Sequence, residues 1–241
     1  MKAGDRLQQD LERFFALRQH SEADPLFLRR LHRLQHWQGE RLQSTHDYLL
    51  GHPDAEPGVR FLLDEVYGGR DLRPVAQEIR RALPKARRLL PDSVMNTSAI
   101  ALEAAILTQH LDEDLVERLG DRLDSPLEES AYVQAYREQA DDFLDERHRQ
   151  LELVGTLGPS VDRYIRSRMI QGTFRMVRRP AHAAGFASLY DFLDRAFRAM
   201  KSLDSVGEVL AVIATDERRI LERILAGHPT PFAQPAGATH E

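Results

Sequence analysis

The sequence predicts an all-α protein, with a single compact multi-helix domain of about nine or ten helices over residues 1–227 and a disordered tail over 228–241. Apolar residues recur three to four positions apart along most of the chain, which is the period of an amphipathic helix. Prolines and glycines interrupt this pattern, and two of the prolines, Pro25 and Pro126, follow a residue that caps helices. Alternating apolar runs and Asn-Gly or Asp-Gly turns do not occur, so no strand is expected.

The composition excludes several classes of protein. The 241 residues are 42% hydrophobic and 29% charged, which is typical of a globular domain. Cysteine is absent, which excludes disulfides and thiolate chemistry and favours a reducing compartment. No apolar signal segment follows the N-terminus, and no apolar stretch approaches the length of a membrane span. We therefore expect a cytoplasmic protein without a transmembrane segment.

The charge of the chain is unevenly distributed. Its net charge of -5 argues against a general nucleic-acid binder. Residues 103–146 contain fourteen acidic residues and three arginines, whereas residues 147–190 contain eight arginines and two acidic residues. The two halves of this central stretch therefore carry opposite charge.

The helix that begins at Pro25 is the most informative element of the N-terminal part. A first helix is predicted over 5–19, and the pair Asp24-Pro25 then supplies a capping carboxylate and a proline at the first helical position. The second helix is predicted to extend to about Leu50, because Gly51 follows. Its inward stripe contains apolar and polar side chains, namely Leu31, Leu34, Gln38, Leu42, Thr45 and Leu49.

The remaining elements are predicted from the same signals. A short helix over 59–67 ends at Gly68-Gly69, and Asp71 caps a helix that continues to Arg81. Pro84 and Pro91 are predicted to divide the next stretch into short pieces, because proline removes a helical hydrogen bond. Further helices are predicted over 93–110, 112–123, 127–154, 159–179, 186–202 and 205–226.

Two histidine patterns have spacings that occur in metal sites. His32 and His36 have the i, i+4 spacing of zinc ligands, and Glu40 lies one turn further. Their helical phase places all three on the side opposite the apolar stripe, which indicates a solvated face. Asp145 and His148 form only one imperfect copy of a motif that di-iron proteins carry twice. The sequence therefore predicts no metal site and no cofactor.

Polar residues on the inward stripe suggest a candidate pocket. Buried polar groups are costly unless they are paired, so Gln38, Thr45 and His46 need partners. The segment 61–67 could supply them. These residues either form a structural network between two helices or line a ligand pocket. The candidate contacts of such a pocket are Gln38, Arg41, Thr45, His46, Asp64 and Tyr67.

An arginine-rich segment suggests a candidate contact surface. Arginines alternate with apolar residues over 163–179, which is typical of a basic amphipathic helix. Such a helix either pairs with acidic residues of its own chain or of a second copy, or contacts an anionic partner such as a phosphate group or a membrane surface. The candidate residues are Arg163, Arg166, Arg168, Arg175, Arg178 and Arg179.

Several short motifs resemble one bacterial protein family. The run Phe61-Leu62-Leu63-Asp64-Glu65-Val66-Tyr67 resembles the motif of the FFLEELY family, from which it departs at Leu62, Asp64 and Val66. The resemblance implies membership of an uncharacterised family that has no assigned reaction. It extends over most of residues 25–226 and is also carried by Trp37-Gln38, Arg41-Leu42, Thr45-His46, Leu83-Pro84, Leu90-Pro91 and the stretch 190–200.

Two hypotheses of function follow from these patterns. The first is a non-enzymatic binding or regulatory module that contacts a protein partner, a second copy or an anionic ligand through the arginine segment. The second is a small-molecule or cofactor binder, which includes an enzyme, with a pocket between the 25–50 and 59–67 helices. No phosphate-binding glycine loop and no nucleophile elbow occurs in the sequence, so its motifs support no reaction.

Overall fold

The computed structural model describes residues 3–51, 55–66, 73–89 and 91–233. All regular elements in these ranges are helical, which confirms the predicted all-α class. A 3₁₀ turn over Asp47–Gly51, a π-helical turn over Leu62–Val66 and a 3₁₀ turn over Gly120–Asp124 join some of the helices. The α-helices are α1 (Ala3–Ala23), α2 (Pro25–Thr45), α3 (Glu56–Phe61), α4 (Arg73–Leu89), α5 (Asp92–Leu119), α6 (Glu129–Arg166), α7 (Arg168–Met176), α8 (Arg178–Ala183), α9 (Ala187–Met200) and α10 (Val206–Leu225).

The core forms around α6, which bends at Phe143 and packs along α5 and α10. On one side α2, α5 and α6 enclose an apolar cluster that contains Leu34, Leu115 and Tyr132. Towards the other end of α6, a second cluster joins α2, α3 and α10 through Leu42, Val59 and other buried side chains. α2 contributes to both clusters, and Leu31, Leu34, Leu42 and Thr45 of its predicted inward stripe are buried. Gln38 is half-buried, and Leu49 lies in the 3₁₀ turn beyond the end of α2.

The contact between α6 and α10 is unusually close at one point. A Cβ atom added to Gly158 would lie 2.5 Å from the Cα atom of Gly207, so only glycine fits there. Next to this contact, the Asp162 carboxylate accepts hydrogen bonds from the backbone N–H groups of Val206 at 2.9 Å and Gly207 at 2.8 Å. Asp162 therefore satisfies the free donors at the start of α10 from the neighbouring helix.

Two prolines lie inside helices, contrary to prediction. Pro84 was expected to divide the chain but lies within α4, and Pro159 was expected to start a helix but lies within α6. Both prolines are exposed, so water can reach the carbonyl group that loses its helical partner. Pro91 does separate α4 from α5, as predicted.

Other boundaries also differ from the sequence prediction. A single helix, α5, replaces the two predicted over 93–110 and 112–123, because Leu111 and Leu115 continue its buried face. α2 ends at Thr45 instead of about Leu50. The stretch 159–179, predicted as one helix, is shared between the end of α6, α7 and the start of α8. Ser167 causes the first of these breaks, since its hydroxyl accepts from the N–H of Ile170 and caps α7.

The chain after α10 packs against the domain. Phe232 lies 6.2 Å, centroid to centroid, from both Trp37 and Tyr132. Residues 228–233, which the sequence analysis assigned to the tail, thus contact the core next to α2 and α6. Residues 234–241 of the predicted tail lie outside the described residues.

Candidate functional site

A buried ionic cluster joins the C-terminal part of α2 to the middle of α10. It consists of Arg41, His46, Asp216 and Glu217. Arg41 Nη1 donates to Glu217 Oε1 at 2.5 Å, and His46 Nε2 lies 3.1 Å from the same oxygen. The other ring nitrogen of His46, Nδ1, lies 3.6 Å from Asp216 Oδ2, and the Tyr48 hydroxyl donates to that oxygen at 2.6 Å. His46 is completely buried.

The charges of this buried ionic cluster depend on one another. Burial alone would raise the pKa of Glu217, but the charge of Arg41 and the contact with His46 lower it from 4.5 to about 2. Burial alone would lower the pKa of Arg41, but the Glu217 carboxylate outweighs that effect and raises it. Arg41 and Glu217 are therefore both ionised at neutral pH, although each is largely removed from solvent.

A second buried polar group lies around Asp112 on α5. Gln35 Nε2 donates to Asp112 Oδ2 at 3.2 Å, and Gln38 Nε2 donates to the Tyr132 hydroxyl at 3.4 Å. Burial raises the pKa of Asp112 from 3.8 to about 6, because it outweighs the hydrogen bond from Gln35 and the charge of Arg147. Asp112 is thus a carboxyl group whose ionisation the folded protein disfavours.

Replacing Asp112 with asparagine should remove a pH-dependent cost to stability. Between its ordinary pKa of 3.8 and the folded value of about 6, the folded protein keeps a proton that the unfolded chain has released. The stability that this proton contributes is lost as the pH rises through that window, by up to about 3 kcal/mol. The variant should therefore be more stable than the wild type near neutral pH in urea titrations.

The control for this prediction is Asp121→Asn, which removes an exposed carboxylate from the same acidic segment, residues 103–146. The difference in unfolding free energy between Asp112→Asn and wild type should grow as the pH is raised from about 4 to about 6. The difference for Asp121→Asn should stay small throughout. A constant difference for Asp112→Asn would contradict the buried, protonated state of this carboxyl group.

The structure brings together only part of the pocket predicted from the sequence. Gln38, Arg41 and Thr45 lie on α2, and His46 directly follows this helix. The Thr45 hydroxyl donates to the Arg41 carbonyl oxygen at 2.8 Å. Asp64 is exposed and accepts from Gln43 Nε2 at 2.7 Å, away from the buried ionic cluster. Tyr67 lies outside the described residues.

The acidic partners of Arg41 and His46 come from α10, which the sequence analysis did not nominate. Asp216 and Glu217 lie three and four positions after the buried Ile213. Ile220 continues the same buried stripe. Their phase could have identified them as inward-facing acids. The ion pairs that Arg41 and His46 make with Glu217 favour the structural network over the ligand pocket, although Arg41 Nε and His46 Nδ1 have no hydrogen-bond partner within the described residues.

A second candidate site is the outer face of α7 and the turn into α8. We call it the arginine–methionine surface. Met169 and Met176 are 77% and 81% exposed, the highest values among the large hydrophobic residues that the structure describes. Together with the arginines beside them they form a mixed basic and apolar face. The surface comprises Arg168, Met169, Arg175, Met176, Val177, Arg178 and Arg179.

The opposite face of α7 is fixed to α9. The Phe174 ring stacks on the Tyr190 ring with their centroids 4.3 Å apart, and the Tyr190 hydroxyl donates to the Phe174 carbonyl oxygen at 3.2 Å. Phe197 also contacts Phe174, with the ring centroids 5.0 Å apart. These contacts hold α7 in one orientation, so its arginines and methionines face outward.

Among the described residues, most arginines of the candidate segment have no acidic partner. Arg166 lies 3.8 Å from Asp162 and donates to backbone carbonyls near residue 204. Arg175 donates to the Gln171 carbonyl oxygen at 3.3 Å and to no other group in the described ranges. The other four make no ion pair with any residue in the described ranges, namely Arg163, Arg168, Arg178 and Arg179.

Internal pairing between the arginine segment and the acidic segment, one of the two interpretations of the charge pattern, is not found in the described part of the chain. Arginines outside the candidate segment bind the acids instead. Arg118 pairs with Asp114 at 2.6 Å and with Asp142 at 2.7 Å. Glu103 pairs with Arg149 at 2.9 Å. The reason is position, because α7 follows the end of α6 and these acids lie beside its first half.

Further polar side chains cluster on α2 and in one cavity. His36 and Glu40 are exposed and only 3.5 Å apart, as their outward phase predicts. In the described ranges, no group of three histidine or carboxylate side chains could hold a metal ion. A cavity of about 440 Å³ lies between α1, α5 and α6, and oppositely charged residues including Arg6, Glu103 and Arg149 line it. Those charges already pair with one another.

None of the described helices has the length and apolar character needed to cross a bilayer. In comparisons with known proteins, a family model described as a domain of unknown function, DUF8198, matches residues 16–231. No curated protein and no solved structure matches the chain. The matched range includes both the buried ionic cluster and the arginine–methionine surface.

Proposed function

Because the chain belongs to the DUF8198 family, a domain family of unknown function, we propose its role from geometry alone. The protein is a non-enzymatic binding or regulatory module, and the arginine–methionine surface is its contact site for an anionic partner. One observation carries the proposal. Arg168, Arg178 and Arg179 have no ionic partner in the described part of the chain. They lie next to two methionines that are 77% and 81% exposed.

The free-energy cost of leaving these side chains exposed to water supports the arginine–methionine surface as the contact site. A large exposed apolar side chain gains nothing from water, and neighbouring cations without partners repel one another. An anionic partner with an apolar part would relieve both costs. Arginine suits such a partner, because its planar guanidinium group can donate two parallel hydrogen bonds to a phosphate or carboxylate group.

The alternative proposal is a small-molecule or cofactor pocket at the inward side of α2. Its candidate side chains Arg41 and His46 are held by Glu217. A ligand would have to replace that carboxylate in a buried position, which is costly. Pocket binding therefore stays a prediction with less support than the surface contact.

Reversing three charges should abolish most of the binding to inorganic polyphosphate, a simple anionic probe. The triple variant Arg175→Glu, Arg178→Glu and Arg179→Glu should bind it at least about tenfold more weakly than the wild type in equilibrium titrations. The loss should shrink at high salt, since surface charge interactions are screened.

The matched control for this test reverses three exposed arginines outside the surface and so has the same net charge. It carries Arg29→Glu, Arg122→Glu and Arg218→Glu. This variant should keep most of its affinity. If both triple variants keep their helical circular dichroism and bind polyphosphate equally well, the proposed contact site is wrong.

Three finer assignments stay proposals. We propose that the chain is a bacterial protein of the FFLEELY family, supported by the burial of Phe61, Leu62 and Leu63 at the position of that motif. We propose a cytoplasmic location, supported by the absence of cysteine. We also propose that the protein acts through contacts with a partner instead of through catalysis.

A further inference from the structure

The arginine–methionine surface contains two parallel rows of side chains on α7. Arg168 and Arg175 are seven residues apart, and so are Met169 and Met176. Seven residues make nearly two helical turns, so each row extends about 10 Å along the helix axis. Gly172 lies between the rows and places no side chain there. A row of cations therefore lies directly beside a row of long, flexible apolar side chains.

Different partners match this pattern to different degrees. Nucleic acid offers phosphates but no apolar layer that could receive the methionines. A protein partner usually needs about 800 Å² of contact on each side. The exposed apolar part of this surface consists of Met169, Met176 and Val177 and amounts to a few hundred Å² at most. A lipid headgroup layer presents phosphates and, a few ångströms deeper, an apolar boundary.

The acidic part of the chain lies far enough away to permit contact with an anionic membrane. Glu146 is the last acid of the acidic segment, and Arg166 is the last residue of α6. The twenty residues between them correspond to about 30 Å along the helix axis. This distance is several times the Debye length of about 8 Å at physiological ionic strength, so repulsion from the acidic half is screened.

We propose that the anionic partner is the phospholipid surface of a membrane, with α7 lying in its plane. Arg168, Arg175 and the two arginines of α8 contact lipid phosphates, while Met169 and Met176 enter the boundary below the headgroups. This inference rests on the proposed function, since it names the partner of the same surface. The protein would bind such a surface peripherally and reversibly.

Vesicle sedimentation tests the proposal with the full chain. Vesicles of phosphatidylcholine with about one-third phosphatidylglycerol provide the anionic surface, and vesicles of phosphatidylcholine alone are the reference. The wild type should bind the anionic vesicles and bind the neutral ones at least about tenfold more weakly. The double variant Met169→Gln and Met176→Gln should bind the anionic vesicles roughly tenfold more weakly than the wild type and bind polyphosphate equally well.

A site-specific probe can report insertion directly, because the chain contains no cysteine. A polarity-sensitive dye on Met176→Cys should shift its emission to shorter wavelength when anionic vesicles are added. The same dye on Ser130→Cys, an exposed position in the first turn of α6, should show no shift. The two labelled proteins thus compare the proposed membrane side with the first turn of α6.

Each outcome has one meaning. If the double variant Met169→Gln and Met176→Gln binds anionic vesicles as tightly as the wild type, the methionines do not enter the membrane. A wild-type protein that binds polyphosphate but not anionic vesicles would overturn the membrane partner and keep the proposed function, leaving an acidic protein or a nucleic acid as the partner. Binding to neither probe would overturn both proposals.

Discussion

Replacing Glu217 with alanine should lower the free energy of unfolding by about 3–5 kcal/mol. The substitution leaves the Arg41 guanidinium group buried without its carboxylate and removes the contact of His46 with the same oxygen. A buried, uncompensated charge costs far more than a lost surface ion pair. Urea unfolding near neutral pH, followed by circular dichroism, measures this difference.

The control is Glu222→Ala, which removes an exposed carboxylate from the same helix and should change stability by less than about 0.5 kcal/mol. The double variant Arg41→Met and Glu217→Leu should recover much of the loss, because it removes both buried charges together. If Glu217→Ala and Glu222→Ala have the same stability, the ionic cluster does not contribute to folding as its geometry indicates.

Replacing Gly158 with alanine should lower the free energy of unfolding by about 1–3 kcal/mol, or prevent folding. The new methyl group would lie 2.5 Å from the Cα atom of Gly207, a backbone atom that cannot turn away. α6 and α10 would have to separate, although alanine by itself favours a helix by about 1 kcal/mol over glycine. The same urea titrations test the effect.

Gly155 supplies a matched control three residues earlier in α6. A Cβ atom there meets nothing within 4 Å. Gly155→Ala should therefore raise the free energy of unfolding by about 0.5–1 kcal/mol through helix propensity alone. Effects of the same sign at both glycines would contradict the close packing of α6 on α10 as the cause.

The elements that the sequence predicts correctly are those whose signals lie within the element or next to it in the chain. The start of α2 is correct, because the Asp24 carboxylate caps it and Pro25 occupies its first position, and neither effect depends on the rest of the fold. The wrong boundaries at Pro84 and Pro159 have a tertiary origin. There the neighbouring turns are held by packing, as Gly158 shows on Gly207, so the helix continues past a residue that disfavours it.

For the candidate site, the sequence predicted which side chains face the interior but not which residues they contact. Helical phase predicted Gln38 on the inward stripe and His46 beside it; Gln38 is half-buried, and His46, which directly follows α2, is buried. Helical phase does not show which helix lies opposite. The partners of His46 were therefore predicted in the segment around Asp64, whereas the structure supplies Asp216 and Glu217 from α10. The arginines of α7 were predicted as a contact surface, but the break between α6 and α7 was not. The break at Ser167, which separates α7 from α6, depends on a single capping hydroxyl.

The folded unit extends beyond its last helix, and this matters for handling the protein. The Phe232 ring covers the Arg41 guanidinium group at 5.4 Å, and Arg223 donates to the Ala233 carbonyl oxygen. A chain shortened after Gly227 would uncover a buried cation, so affinity tags and fusion partners belong after residue 233. Protease cleavage between residues 228 and 233 would then show whether this C-terminal segment is packed against α2 and α6.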